Sequence, residues 1–222
     1  RDGRTARTAI RATIGTGSWD LLAARHPAHD GILGYMLSSE KWPARRAGVE
    51  EQPVSQHEAP LTPAHIWREM TPEQRLTAAG ALWSDADSVP QQAEAVQAIA
   101  RQLRFRPQSV LKLAPEKRAR HLAALRAVSE SLASRALVVY HLTSRRPMLE
   151  AFLDSLGIAH EDGLIAEGDK AAPDVAKLRE AAAALLAGFP AADVRIYLLT
   201  LAVQDPDTWA PLEPIVSELI PS

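Results

Sequence analysis

Apolar residues in the latter two thirds of the chain recur at helical spacing. Val89, Ala93, Val96, Ala100 and Leu103 are separated by four, three, four and three positions, which draws one stripe along a helix. Leu122 and Leu125 mark the inner face of a helix opening at Ala114-Pro115-Glu116. Leu149, Phe152, Leu153 and Leu156 do the same for a helix that starts at Pro147 and stops at Gly157. Val175, Leu178, Ala182, Leu185 and Leu186 form another face, and Val194, Tyr197, Leu198 and Leu201 form the next. The run Ala136-Leu137-Val138-Val139-Tyr140 is apolar on every side, which predicts a helix in the centre of a bundle.

The punctuation agrees with these stripes. Thr71-Pro72-Glu73-Gln74 has the form of a capping box with proline at the first helical position, and Ser88-Val89-Pro90-Gln91 resembles it. Ser129 or Ser131 opens the central helix. Pro107 ends the helix that opens at Ser88, because a residue preceding proline avoids the α region, and a short helical turn over 108–113 follows. Asp205-Pro206 stops the penultimate helix, and a last one runs from Pro211 or Pro214 to Ile220. Residues 158–172 are a polar loop, and no strand alternation stands out. The expectation is an all-α fold: a compact multi-helix bundle of six or more helices with short Pro or Gly connections. The helix pairs make α-solenoid-like packing the alternative, although no fixed repeat period is present.

Residues 1–69 have a different texture. Gly15, Gly17, Gly31, Gly34, Pro43, Gly48, Pro53 and Pro60 interrupt them, and only 6–14, 19–25 and 32–39 suggest helix. They are expected to be an irregular N-terminal extension with a linker at about 43–60, and residues 70–222 the helical bundle domain. Met70, directly before the Thr71 cap, resembles a natural start. The functional domain then begins there, unless 1–69 is a genuine helical arm.

Composition narrows the class. The 222 residues are 46% hydrophobic, enough for a core, and include no cysteine. Disulfide frameworks, thiolate metal sites and cysteine nucleophiles are excluded. No run approaches the roughly 18 apolar residues of a membrane span, and the basic residues near Arg1 are not followed by the apolar core of a secretory signal. A cytoplasmic protein is expected. The bias to Ala, Arg, Pro and Leu over Lys suggests a GC-rich bacterial genome.

Charge changes the picture more. The net charge of −2 conceals a polarised chain: residues 101–146 carry +9 and residues 147–222 carry −9. Arg101, Arg104, Arg106, Lys112, Lys117, Arg118 and Arg120 are close in sequence, Arg145 and Arg146 are candidates to join them, and Phe105 between two arginines could stack on a base. Against a nucleic-acid interface stand the acidic C-terminal half, the absence of a recognised nucleic-acid motif, and the usefulness of cations at helix C-termini.

Other chemistry is sparse. His26 and His29 are too few for a metal site. His160, Glu161, Asp162, Glu167 and Asp169 lack the alternating ligand spacing of a calcium loop. Gly15-Thr16-Gly17-Ser18 lacks the lysine and the preceding strand of a phosphate loop. His141 lies in the apolar helix without an evident catalytic partner. Trp67, Trp83 and Trp209 lie near helix ends and are expected to close the core rather than anchor a partner. No cofactor and no metal are expected.

The leading expectation is a non-enzymatic helical protein-interaction domain, acting on a partner protein or on itself. The alternatives are a nucleic-acid-binding protein using the basic 101–120 region, and an enzyme with an inter-helix pocket around Tyr140 and His141. Electrostatics separates the first two. Pairing of the basic residues with carboxylates from 147–222 favours the interaction domain; an open basic face apart from that half favours nucleic acid.

Overall fold

The capping box at Thr71 forms as its sequence predicts. Thr71 Oγ1 accepts a hydrogen bond from the Gln74 backbone N–H at 3.2 Å, and Gln74 Oε1 accepts one from the Thr71 N–H at 2.8 Å. Two donors that a first helical turn leaves free are thereby satisfied. A computed structural model describes residues 60–165 and 173–221 of the chain, which form eleven α-helices and one small hairpin.

The first helix, α1 (Pro63–Glu69), repeats the Thr-Pro start: Thr62 Oγ1 accepts from the His65 N–H at 3.2 Å. After α2 (Pro72–Ser84), a 3-10 turn at Ala86–Ser88 leads into α3 (Val89–Leu103). Here the expected cap does not form. Ser88 Oγ donates to Asp85 and accepts from Arg135 Nε, so a residue 47 positions away takes the oxygen that local sequence would give to the helix. The buried stripe of α3 is Ala95, Val96, Ile99 and Ala100. Val89 and Ala93, expected inside, are exposed.

Next come α4 (Pro107–Leu111), α5 (Pro115–Ala124), α6 (Glu130–Ser144) and α7 (Arg146–Leu156). Ser129 Oγ caps α6 by accepting from the Leu132 N–H at 3.3 Å, and Gly157, at φ 70°, closes α7. The polar loop then holds an unexpected hairpin, in which β1 (His160–Glu161) pairs antiparallel with β2 (Leu164–Ile165). Asp162 and Gly163 between them have φ of 54° and 82°. Positive φ at both central residues is the two-residue hairpin turn that Asp-Gly favours. The chain ends in α8 (Val175–Gly188), α9 (Ala191–Gln204), α10 (Pro206–Trp209) and α11 (Leu212–Leu219).

The architecture is an all-α multi-helix bundle built around α6, which packs on α1, α2, α3, α7 and α9. A solenoid helix touches only its neighbours along the stack, so these contacts exclude that alternative. Leu132, Ala133, Ala136, Leu137, Val139 and Tyr140 of α6 are buried, as an all-round apolar helix requires. On one side α2 to α5 pack on one another; on the other α7 to α11 do so; α6 joins the two sets, and α1 packs on α6 and α9.

The helical body extends upstream of the boundary expected at Met70. Ile66 and Trp67 of α1 and Met70 itself are buried in the same core as α2 and α6. The expected extension up to residue 59 lies outside the described residues.

Candidate functional site

The seven basic residues of the 101–120 region are carried by α3, α4 and α5 and the links between them. Arg101 lies in the last turn of α3, and Arg104 is its left-handed C-cap at φ 55°. Arg106 is the N-cap residue of α4, and Lys112 follows that helix. Lys117, Arg118 and Arg120 belong to α5. Six are exposed, and Arg118 is half-buried with its guanidinium carbon 4.7 Å from the centroid of the Trp83 ring. Trp83 therefore supports a cation of this surface, an arrangement worth about 0.5–1 kcal/mol where solvent reaches it. Phe105, 50% exposed, and Leu111, 57% exposed, lie among the cations.

Among the described residues, none of the seven forms an ion pair with a carboxylate. Three other cations of the basic segment behave differently. Arg135 reaches Asp85 at 2.6 Å, Arg145 reaches Asp193 at 3.2 Å, and Arg146 reaches Asp162 at 3.2 Å. Complementarity between the basic segment and the acidic half thus accounts for Arg145 and Arg146, which do not join the basic surface, and leaves the 101–120 residues unmatched.

The helix dipole accounts for only some of them. Arg101 and Arg104 sit at the C-terminus of α3, where positive charge is favourable. Lys117 and Arg118 sit at the opposite kind of end, the start of α5, where the free N–H groups already carry partial positive charge. Their placement costs helix stability, with Glu116 alone offsetting it locally.

The candidates around Tyr140 and His141 are core residues. The Tyr140 hydroxyl donates to Asp193 Oδ1 at 3.2 Å, and Gln74 Nε2 donates to the same oxygen at 2.8 Å. Burial, followed by the charge of Asp193, raises the pKa of Tyr140. His141 packs edge-on against Tyr140 and Tyr197, with ring centroids 5.0 and 5.3 Å away, and its Nε2 lies 3.3 Å from Thr200 Oγ1. Its Nδ1 has no hydrogen-bond partner. Burial, then the positive charge of Arg145, lowers its pKa to about 3, with Asp193 opposing, so the ring is neutral at pH 7. Neither of two open surface grooves, one at Asp154, Lys177 and Glu180 and the other at Arg101 and Leu125, is lined by Tyr140 or His141.

The remaining candidates fall apart as sites. His160 Nε2 lies 3.2 Å from Asp154 Oδ1, and Asp162 is taken by Arg146. Among the described residues no three His, Cys, Asp or Glu side chains gather as metal ligands, and no helix is long and apolar enough to cross a membrane. His26, His29, Gly15 to Ser18, Glu167 and Asp169 lie outside the described residues. Trp67 and Trp209 are buried, the latter 6.1 Å from Phe152 between ring centroids. Arg126, exposed in the link between α5 and α6, is a further unpaired cation among the described residues, outside the 101–120 cluster. Its signal in the sequence is its position six residues after Arg120.

No protein-family model, curated protein or solved structure matches the chain.

Proposed function

We propose that the helical body is a non-enzymatic interaction module whose partner is a nucleic-acid strand, held by its phosphates on the α3–α5 surface. One observation carries this reading: seven cations on three adjoining helices and the links between them have no carboxylate partner among the described residues. Two of them stand where they weaken their own helix. Uncompensated charge of one sign is a standing cost in the free protein and is relieved when phosphates replace condensed counterions. Phe105, exposed between Arg104 and Arg106, adds a ring face for an unstacked base, which favours a single strand over a duplex.

The test is fluorescence anisotropy of a labelled single-stranded oligonucleotide across a salt series. The reading requires affinity that falls steeply with salt, by a slope of about 0.7 per phosphate contacted. A Lys117→Glu/Arg120→Glu variant should lose most of that binding. Absence of binding at low salt overturns the reading.

A second reading has support in Leu111, whose exposed aliphatic side chain offers nothing to a base but suits a protein surface. In that case the partner is an acidic protein, a second copy of this chain included. Sedimentation that shows salt-sensitive self-association without nucleic acid would favour it.

A further inference from the structure

The basic surface includes a concave place. Between the C-terminal end of α3 and the link from α5 to α6 lies an open groove of about 390 Å3, lined by Ala98, Arg101, Gln102, Leu125 and Ala127. Arg126, between two of the lining residues, is exposed. The wall is fixed from behind. Trp67 Nε1 donates to the Leu125 carbonyl oxygen at 2.8 Å, and buried Arg75 donates through Nε to the Ala123 carbonyl oxygen at 2.9 Å.

These contacts hold Leu125 and its neighbours in place without using either exposed guanidinium. Arg101 and Arg126 make no side-chain hydrogen bond or ion pair among the described residues. Arg75 adds a third positive charge close behind the wall. Its pKa is lowered, by burial first and then by the positive charge of Arg126. A groove with a fixed wall, one unpaired guanidinium in its lining and a second on the exposed residue between Leu125 and Ala127 is organised for a tetrahedral or planar anion.

We infer that this groove seats a single phosphate group of the bound strand, clamped between Arg101 and Arg126 with the Gln102 amide as a further donor. The inference rests on the nucleic-acid reading and adds to it a defined anchoring point. The groove is wider than one phosphate, so the adjoining sugar enters it against Ala98, Leu125 and Ala127. The other cations, Lys117 and Arg120 among them, then act as a diffuse field along the strand.

The experiment compares three full-length proteins: the parent chain, an Arg101→Gln/Arg126→Gln variant and a Lys117→Gln/Arg120→Gln variant. Each is titrated against a labelled oligothymidylate at several salt concentrations, with inorganic phosphate and polyglutamate as competitors. All four side chains are exposed, and thermal melts check that the variants fold. The groove variant should bind about tenfold more weakly, with a salt slope lower by about 0.7, the value of one phosphate. Single Arg101→Gln and Arg126→Gln changes should be non-additive, because both act on one group. Millimolar inorganic phosphate should lower the parent's affinity more than that of the groove variant.

If the groove variant binds like the parent while the Lys117/Arg120 variant is weakened, the groove assignment fails and the nucleic-acid reading survives. If the parent binds no oligonucleotide, both fall. If polyglutamate displaces the strand as well as unlabelled oligonucleotide does, the groove takes a carboxylate and the phosphate assignment is overturned.

Discussion

The indole N–H of Trp67 donates to the carbonyl oxygen of Leu125 at 2.8 Å, joining α1 to a link 58 residues further along the chain. The ring is buried beside α6, so the contact is both a packed aromatic and a satisfied polar group. Trp67→Ala should destabilise the protein by roughly 3–5 kcal/mol in urea unfolding. Trp67→Phe should cost less, on the order of 1–3 kcal/mol, because it retains most of the ring volume but leaves the Leu125 oxygen unpaired. A chain begun at Met70 lacks this anchor and should melt well below one begun at residue 60. Equal melting temperatures would show that α1 is dispensable.

Asp193 is the meeting point of α2, α6 and α9. Its Oδ1 accepts from Gln74 at 2.8 Å and from the Tyr140 hydroxyl at 3.2 Å, and its Oδ2 lies 3.2 Å from Arg145 Nε. Tyr140→Phe removes one of several donors and should cost about 1 kcal/mol. Asp193→Leu strands the Gln74 and Tyr140 donors and should cost about 3 kcal/mol or more. Chemical denaturation of both variants measures the difference, and comparable losses would mean that the carboxylate is not the hub.

The buried imidazole of His141 sets a pH dependence. Its folded pKa of about 3 lies below the ordinary 6.5, so the unfolded chain binds the proton first as pH falls. The stability it contributes is complete above pH 6.5 and is lost progressively between there and pH 3. Between pH 7 and pH 5 the loss should be roughly 2 kcal/mol. His141→Gln, which cannot titrate, should flatten that slope in urea melts taken across the same range. An unchanged slope would place the titration elsewhere.

Lys117 couples stability to binding with opposite signs. It stands in the first turn of α5, where negative charge is favoured. Lys117→Glu should therefore raise stability, by about 0.3–1 kcal/mol at low salt, while weakening oligonucleotide binding. Thermal melts and anisotropy on one preparation test both. Loss of stability together with binding would show that the lysine is structural.

What the sequence revealed depended on the range of the interaction. The Thr71 cap and the Gly157 stop were legible because their partners lie within a few residues. The centrality of α6 was legible because Ala136 to Tyr140 present no polar face. The Ser88 cap was misjudged because Arg135, distant in sequence, takes its oxygen. Two further features are local: Thr62-Pro63 ahead of α1 repeats the Thr71-Pro72 device, and Asp162-Gly163 is a hairpin turn. Of the candidate site, the cations were evident from spacing, but their lack of carboxylate partners depends on where α7 to α11 pack. The groove could not be read at all, since it joins the end of α3 to residues 125–127.

The cations of α3–α5 and the carboxylates of α7–α11 belong to two sets of helices that meet through α6, and charge divided in this way would give the body an electric dipole. A polyanion would turn such a molecule before touching it, so productive encounters should outnumber those expected from random orientation. Once docked, each copy would hold its own carboxylates away from the strand. The next copy to arrive would meet an anionic back, and coating of the strand would stop at a single layer.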